Sequence, residues 1–93
     1  MRKYEGIFIF LPNEEEKRVQ LMERFKGIIE EDGKIDTIDE WGVRKLAYLI
    51  DDIAEGYYVL VNFEAGVDVI EELKRVAQIS DNIMRYMIVR DEE

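Results

Sequence analysis

Two hydrophobic periods alternate along the chain, one of about two residues and one of about 3.6. Residues 3–11, KYEGIFIFL, form an aromatic and β-branched run that predicts a strand buried on both faces, ended by Pro12 and Asn13. Asn13 and Glu16 have N-cap and capping-box spacing, and Glu14, Glu15 and Glu16 suit the positive end of a helix. Leu21, Met22, Phe25, Ile28 and Ile29 then fall within about 120° of a helical wheel, a stripe that faces a core. Gly33 is expected to stop this helix in a left-handed conformation.

The period returns to two over residues 34–50, where Ile35, Ile38, Trp41, Val43, Leu46, Tyr48 and Ile50 mark a strand that changes phase near Trp41-Gly42. A glycine inside such a pattern predicts a bulge, so one long kinked strand is expected. Residues 51–56, DDIAEG, read as a hairpin connection, and residues 57–63, YYVLVNF, as the third strand. A second helix should open near Asp68, with Glu71 at capping spacing, an i,i+4 pair between Glu71 and Arg75, and a core stripe of Val69, Ile70, Leu73, Val76 and Ala77. Residues 80–82, SDN, break it, and residues 83–90, IMRYMIVR, form the last strand. The order is β-α-β-β-α-β. Handedness and pairing rules favour a ferredoxin-like α+β sandwich, a four-stranded antiparallel sheet with two helices on one face.

That architecture leaves one sheet face open, yet the strands are apolar on both sides. Tyr4, Phe8 and Phe10 alternate with Ile7, Ile9 and Leu11, and Met84, Tyr86 and Ile88 with Ile83, Met87 and Val89. A solvated face would carry polar residues at alternate positions, so the open face calls for a partner: protein, nucleic acid or a second copy.

Composition narrows the chemistry. The 93 residues predict one domain, 1–93, and 47% hydrophobic content predicts a folded core. The chain has no Cys and no His, which removes thiolate chemistry, zinc-thiolate and iron–sulfur sites and the usual neutral-pH proton shuttle. The acidic runs at residues 14–16, 30–32 and 51–52 have neither the spacing nor the central glycine of a calcium loop. No phosphate loop, serine nucleophile pattern or acid pair in an apolar pocket is present, so no enzyme, cofactor, metal or small-molecule substrate is expected. No apolar run of about 18 residues occurs, and the start reads as neither a signal peptide nor a membrane span.

A net charge of −9 argues against nucleic acid if taken as a whole. Its distribution argues otherwise. Residues 1–45 carry 9 cations and 11 anions, net −2, whereas residues 46–93 carry 4 and 11, net −7. Seven of the 13 cations fall on strands or at their ends: Arg2, Lys3, Lys34, Arg44, Lys45, Arg85 and Arg90. The topology sets Arg2 and Lys3 beside Arg90, with Lys34 at the same end. The sheet side can therefore approach phosphate despite the net charge. An RNA-recognition-motif platform is disfavoured, because Glu55-Gly56-Tyr57-Tyr58-Val59 puts glutamate at the cation position and valine at a stacking position, with only Phe8 matching on the first strand.

The start MRKYE, the block Trp41-Gly42-Val43-Arg44-Lys45-Leu46-Ala47-Tyr48-x-Ile50, Gly56-Tyr57-Tyr58 and the closing stretch Asp81-Asn82-Ile83-Met84-Arg85-Tyr86-Met87-Ile88-Val89 together resemble the bacterial small-subunit ribosomal protein six family. The resemblance runs from Met1 to about Arg90 and implies a ferredoxin-like structural protein of the ribosome, cytoplasmic. It further implies binding to the central domain of 16S rRNA as a heterodimer with ribosomal protein eighteen, a basic partner. The family's basic positions fall on Arg2, Lys3, Arg44, Lys45 and Arg85, with Arg90 beside them. Tyr4 and Tyr48 match family aromatics that are candidates for partner contact. Leu49 stands where many relatives have proline, and Met84 where some have a second cation. The alternatives are a ferredoxin-like small-ligand regulatory or protein-interaction domain and a dimeric ferredoxin-like enzyme. The first needs a glycine-rich turn after the first strand, where this chain has Leu11-Pro12-Asn13-Glu14.

Overall fold

The computed structural model describes residues 1–50 and 52–91. The elements run β1 (Arg2–Phe10), α1 (Glu15–Glu31), β2 (Gly33–Ile50), β3 (Ile53–Ala65), α2 (Val67–Ile79) and β4 (Ile83–Arg90). All strand pairs are antiparallel, in the order β2-β3-β1-β4. This is the ferredoxin-like order expected from the pattern.

One face of the sheet meets the helices. Phe8 and Phe10 of β1, Val59, Val61 and Phe63 of β3, Phe25 and Ile29 of α1, and Leu73 and Val76 of α2 are essentially inaccessible to solvent. Phe8 stacks on Phe25 with ring centroids 4.8 Å apart, which ties the central strand to α1. All five expected core positions of α2 are buried. On α1 Phe25 and Ile29 are buried, while Leu21, Met22 and Ile28 cover the edge of the core.

Local details depart from expectation where neighbours intervene. The N-cap of α1 is Glu14 rather than Asn13, with no capping hydrogen bond, because the Glu14 carboxylate accepts instead from Asn82 Nδ2 at 2.8 Å. This bond ties the start of α1 to the turn before β4. The N-cap of α2 is Gly66, so Asp68 lies in the first turn and no capping box forms. Arg75 pairs with Glu72, at 2.8 and 2.7 Å, and not with Glu71. Gly33 opens β2 without a positive φ. It must be glycine because a Cβ there would stand 2.1 Å from the Glu64 carbonyl oxygen.

The kink in β2 is real, with register shifts between Ile35 and Thr37, between Glu40 and Gly42 and between Lys45 and Ile50, and with Gly42 at φ 81°. The hairpin connection is shorter than residues 51–56, since β3 already begins at Ile53, which pairs with Ile50, and Asp52 turns the chain at φ 65°. Asp51 lies outside the described residues. On β4 the expected faces of Ile83 and Met84 are exchanged. The β1–β4 register shifts between Ile9 and Phe10, so Ile83 joins the helix-side core and Met84 lies near Ile9 and Gly56 on the other side.

Candidate functional site

The open face can be read row by row, because paired residues share a face. One row is Met87, Ile7, Leu60 and Asp39, and the next is Val89, Glu5, Asn62 and Thr37. Met87 is 55% and Val89 43% exposed, so this apolar surface is open to solvent. Toward β2 the face becomes polar: Asn62 Nδ2 donates to Thr37 Oγ1 at 3.0 Å, and Trp41 Nε1 donates to Asp39 at 3.0 Å. Trp41 stacks on Tyr58 at 6.2 Å with 14° between the rings.

The six cations expected to meet RNA are brought into two groups. Arg2 and Lys3 open β1, and Arg90 closes β4 opposite Tyr4, while the Asp91 N–H donates to the Lys3 carbonyl at 2.9 Å. Lys34 lies level with Lys3, both paired with Glu64. Arg85, opposite Ile9, and Arg44, opposite Gly56, stand at the other end. Six residue steps along β1 lead from Lys3 to Ile9, so the groups are about 20 Å apart. Arg44 and Lys45 do not act as a unit. Neighbours on a strand point to opposite sides, which leaves Arg44 on the open face and Lys45, opposite Glu55, on the reverse.

The two candidate tyrosines are also separated. Tyr4 is half-buried on the helix side and stacks on Phe63 at 5.8 Å. Tyr48 is 57% exposed on the projecting β2–β3 hairpin, where its hydroxyl accepts a hydrogen bond from Arg85 Nη1.

Two features were missed from the sequence. Arg18 is only 8% exposed and holds its guanidinium 3.6 Å from the centroid of the Tyr57 ring. Its spacing to Leu21, Met22 and Phe25 places it in the apolar stripe of α1, which was the available signal. Tyr57 in turn donates to Glu40 at 2.9 Å. Burial, and then the bond to Glu40, raise the Tyr57 pKa above its ordinary value of 10.0. The neutral phenol is thus favoured in the fold. Its contribution to stability is complete below pH 10 and is lost as pH rises through the raised folded value. Denaturant titrations at pH 8 and pH 11 should show part of the alkaline loss disappear in Tyr57→Phe. An equal loss in both proteins would reject the assignment.

No three His, Cys, Asp or Glu residues gather to hold a metal among the described residues, and no described helix is long and apolar enough to cross a membrane. The aromatic positions of an RNA-recognition motif are not displayed either. Phe8 is fully covered by the helices, and Tyr57 lies under Arg18.

A ferredoxin-like sandwich with an apolar open face between two basic strand ends belongs to the class of interaction modules. Comparison with known proteins makes this specific. The family described as Ribosomal protein S6 matches residues 3–90. The small ribosomal subunit protein bS6 of Alkaliphilus oremlandii (strain OhILAs) is 55% identical over 94 residues, covering all of both chains. That of Thermoanaerobacter pseudethanolicus is 54% identical over 95 residues, again covering all of both. The crystal structure of 30S ribosomal protein S6 from Thermotoga maritima superposes with a TM-score of 0.88 at 40% identity, over 97% of this chain and 87% of that one. The chain belongs to the ribosomal protein S6 family, whose members are structural ribosomal proteins rather than enzymes.

Proposed function

We propose that this chain is a structural constituent of the small ribosomal subunit in the cytoplasm, and that it binds the central domain of 16S rRNA together with ribosomal protein eighteen. The observation that carries this reading is the apolar open-face row of half-buried Ile7 and Leu60 with exposed Met87, flanked by cations at both ends of the sheet in a molecule of net charge −9. An apolar face docks a protein, and an acidic protein attracts a basic one. Arg44 and Lys45 at one end, and Arg2, Lys3 and Arg90 at the other, supply the phosphate contacts, while the partner brings most of the positive charge. Tyr48 lies on the rim of the partner surface, and Tyr4 supports the sheet beneath it.

With about three to five phosphate contacts, the chain alone should bind rRNA weakly and with strong salt dependence. Titration of a central-domain rRNA fragment should give much tighter binding when protein eighteen is present. Tight binding by the chain alone, unchanged on adding the partner, would overturn this division of labour.

A further inference from the structure

We infer that Arg85 is a positioning residue of this interface: it latches the projecting β2–β3 hairpin against β4 through Tyr48, and it is not itself a phosphate contact. The inference begins in the ladder. Lys45 pairs with Glu55 and Ile50 with Ile53, so residues 46–49 of β2 face Ala54 alone. Four residues opposite one cannot stay in register, and β2 arches away from β3. Residues 46–49 have no ladder pair of their own, which leaves their position to side-chain contacts as well as backbone.

Two contacts reach it from β4. Arg85 Nη1 donates to Tyr48 Oη, and the Arg85 guanidinium carbon lies 5.1 Å from the centroid of the Tyr48 ring. One strand position away, Met84 Sδ and Leu46 Cδ2 close on Gly56, at 3.5 and 3.6 Å from where its Cβ would be. Ile9 completes this small apolar seal and is only 9% exposed, although it lies on the open face and outside the helix-side core. Gly56 is needed for the closure, because a Cβ there would stand 2.4 Å from Ile9 Cγ2. The arch thus has an apolar underside and one polar clasp. The clasp turns the Arg85 guanidinium back over Tyr48 and holds the arch beside Arg44, which the ladder keeps in register opposite Gly56.

Amide hydrogen exchange on the free protein reads the latch directly. In Arg85→Gln, exchange at the ladder pairs that flank the arch, Lys45 with Glu55 and Ile50 with Ile53, should accelerate roughly tenfold, about the loss of one charge-assisted hydrogen bond, with α1 and α2 unchanged. Tyr48→Phe should produce part of this change, and the double variant no more than Arg85→Gln alone. Exchange at these flanking pairs that is unaltered by Arg85→Gln overturns the latch. The role at the interface rests on the rRNA reading and has its own measurement. Arg85→Gln and Tyr48→Phe should both weaken assembly with rRNA and protein eighteen while leaving the dependence of log K on log salt unchanged. A slope reduced by about 0.7–0.9 in Arg85→Gln alone would make Arg85 a phosphate contact and overturn the positioning role. A wild-type chain that fails to bind rRNA would reject the functional reading, and exchange in the free protein would still decide the latch.

Discussion

Phe8→Ala should cost about 3–5 kcal/mol of stability. Phe8 is fully buried, stacks on Phe25 of α1, and lies between Val59 of β3 and Tyr86 of β4, so its ring joins three strands to a helix. Truncation removes the transfer free energy of the ring and leaves a cavity that the neighbouring strands cannot close without breaking register. A domain of this length has about 5–15 kcal/mol in total, so the variant should lose about a fifth of its stability or more. Its melting temperature should fall by at least about 12 °C. Phe8→Leu, which keeps most of the volume, should lose less than half as much. Urea titrations of the three proteins check both numbers. A loss below about 1 kcal/mol in Phe8→Ala would mean that this contact does not organise the core.

The second large effect concerns RNA. Reversing both charges in Arg44→Glu/Lys45→Glu should weaken assembly with 16S rRNA and protein eighteen about 100-fold at fixed salt, from two charge-assisted contacts of about 1.5 kcal/mol or more each. Stability should change by no more than about 0.5 kcal/mol, since both side chains are exposed. The single reversals should differ, because Arg44 is on the open face and Lys45 on the reverse. Isothermal titration of the assembled complex, with circular dichroism to verify folding, measures both effects. Wild-type assembly by a folded double variant would remove these residues from the interface.

These two predictions rest on different kinds of information. The core was legible in the chain. The stripe of Val69, Ile70, Leu73, Val76 and Ala77 requires only the helical period, and the bounds of β4 at residues 83–90 only a run of β-formers after a break. The distribution of cations onto strands was legible too, and so was their meeting at the β1–β4 end, because antiparallel pairing of those strands follows from the element order.

The clasps were not legible. Asn13 with Glu16 has the spacing of a capping box, but Glu14 finds a stronger partner in Asn82, 68 positions away. Glu71 with Arg75 has the spacing of a helical pair, but the guanidinium meets both oxygens of Glu72 instead. Ile83 and Met84 exchange faces because the β1–β4 register slips between Ile9 and Phe10. Arg18 reads as a surface cation until the Tyr57 ring is placed beneath it.

Period, composition and motif spacing in the sequence alone determined the element order, the helix-side core, the absence of catalytic residue types and the resemblance to ribosomal protein six. Each of these depends on residues within a few positions of one another, or on the whole composition. Only the tertiary structure decided that the expected RNA cations form two groups about 20 Å apart, that Arg44 and Lys45 face opposite ways, and that Arg85 donates to Tyr48. The physical reason is that a bulge shifts every later side chain to the other face, and whether a strand bulges depends on the strand it pairs with.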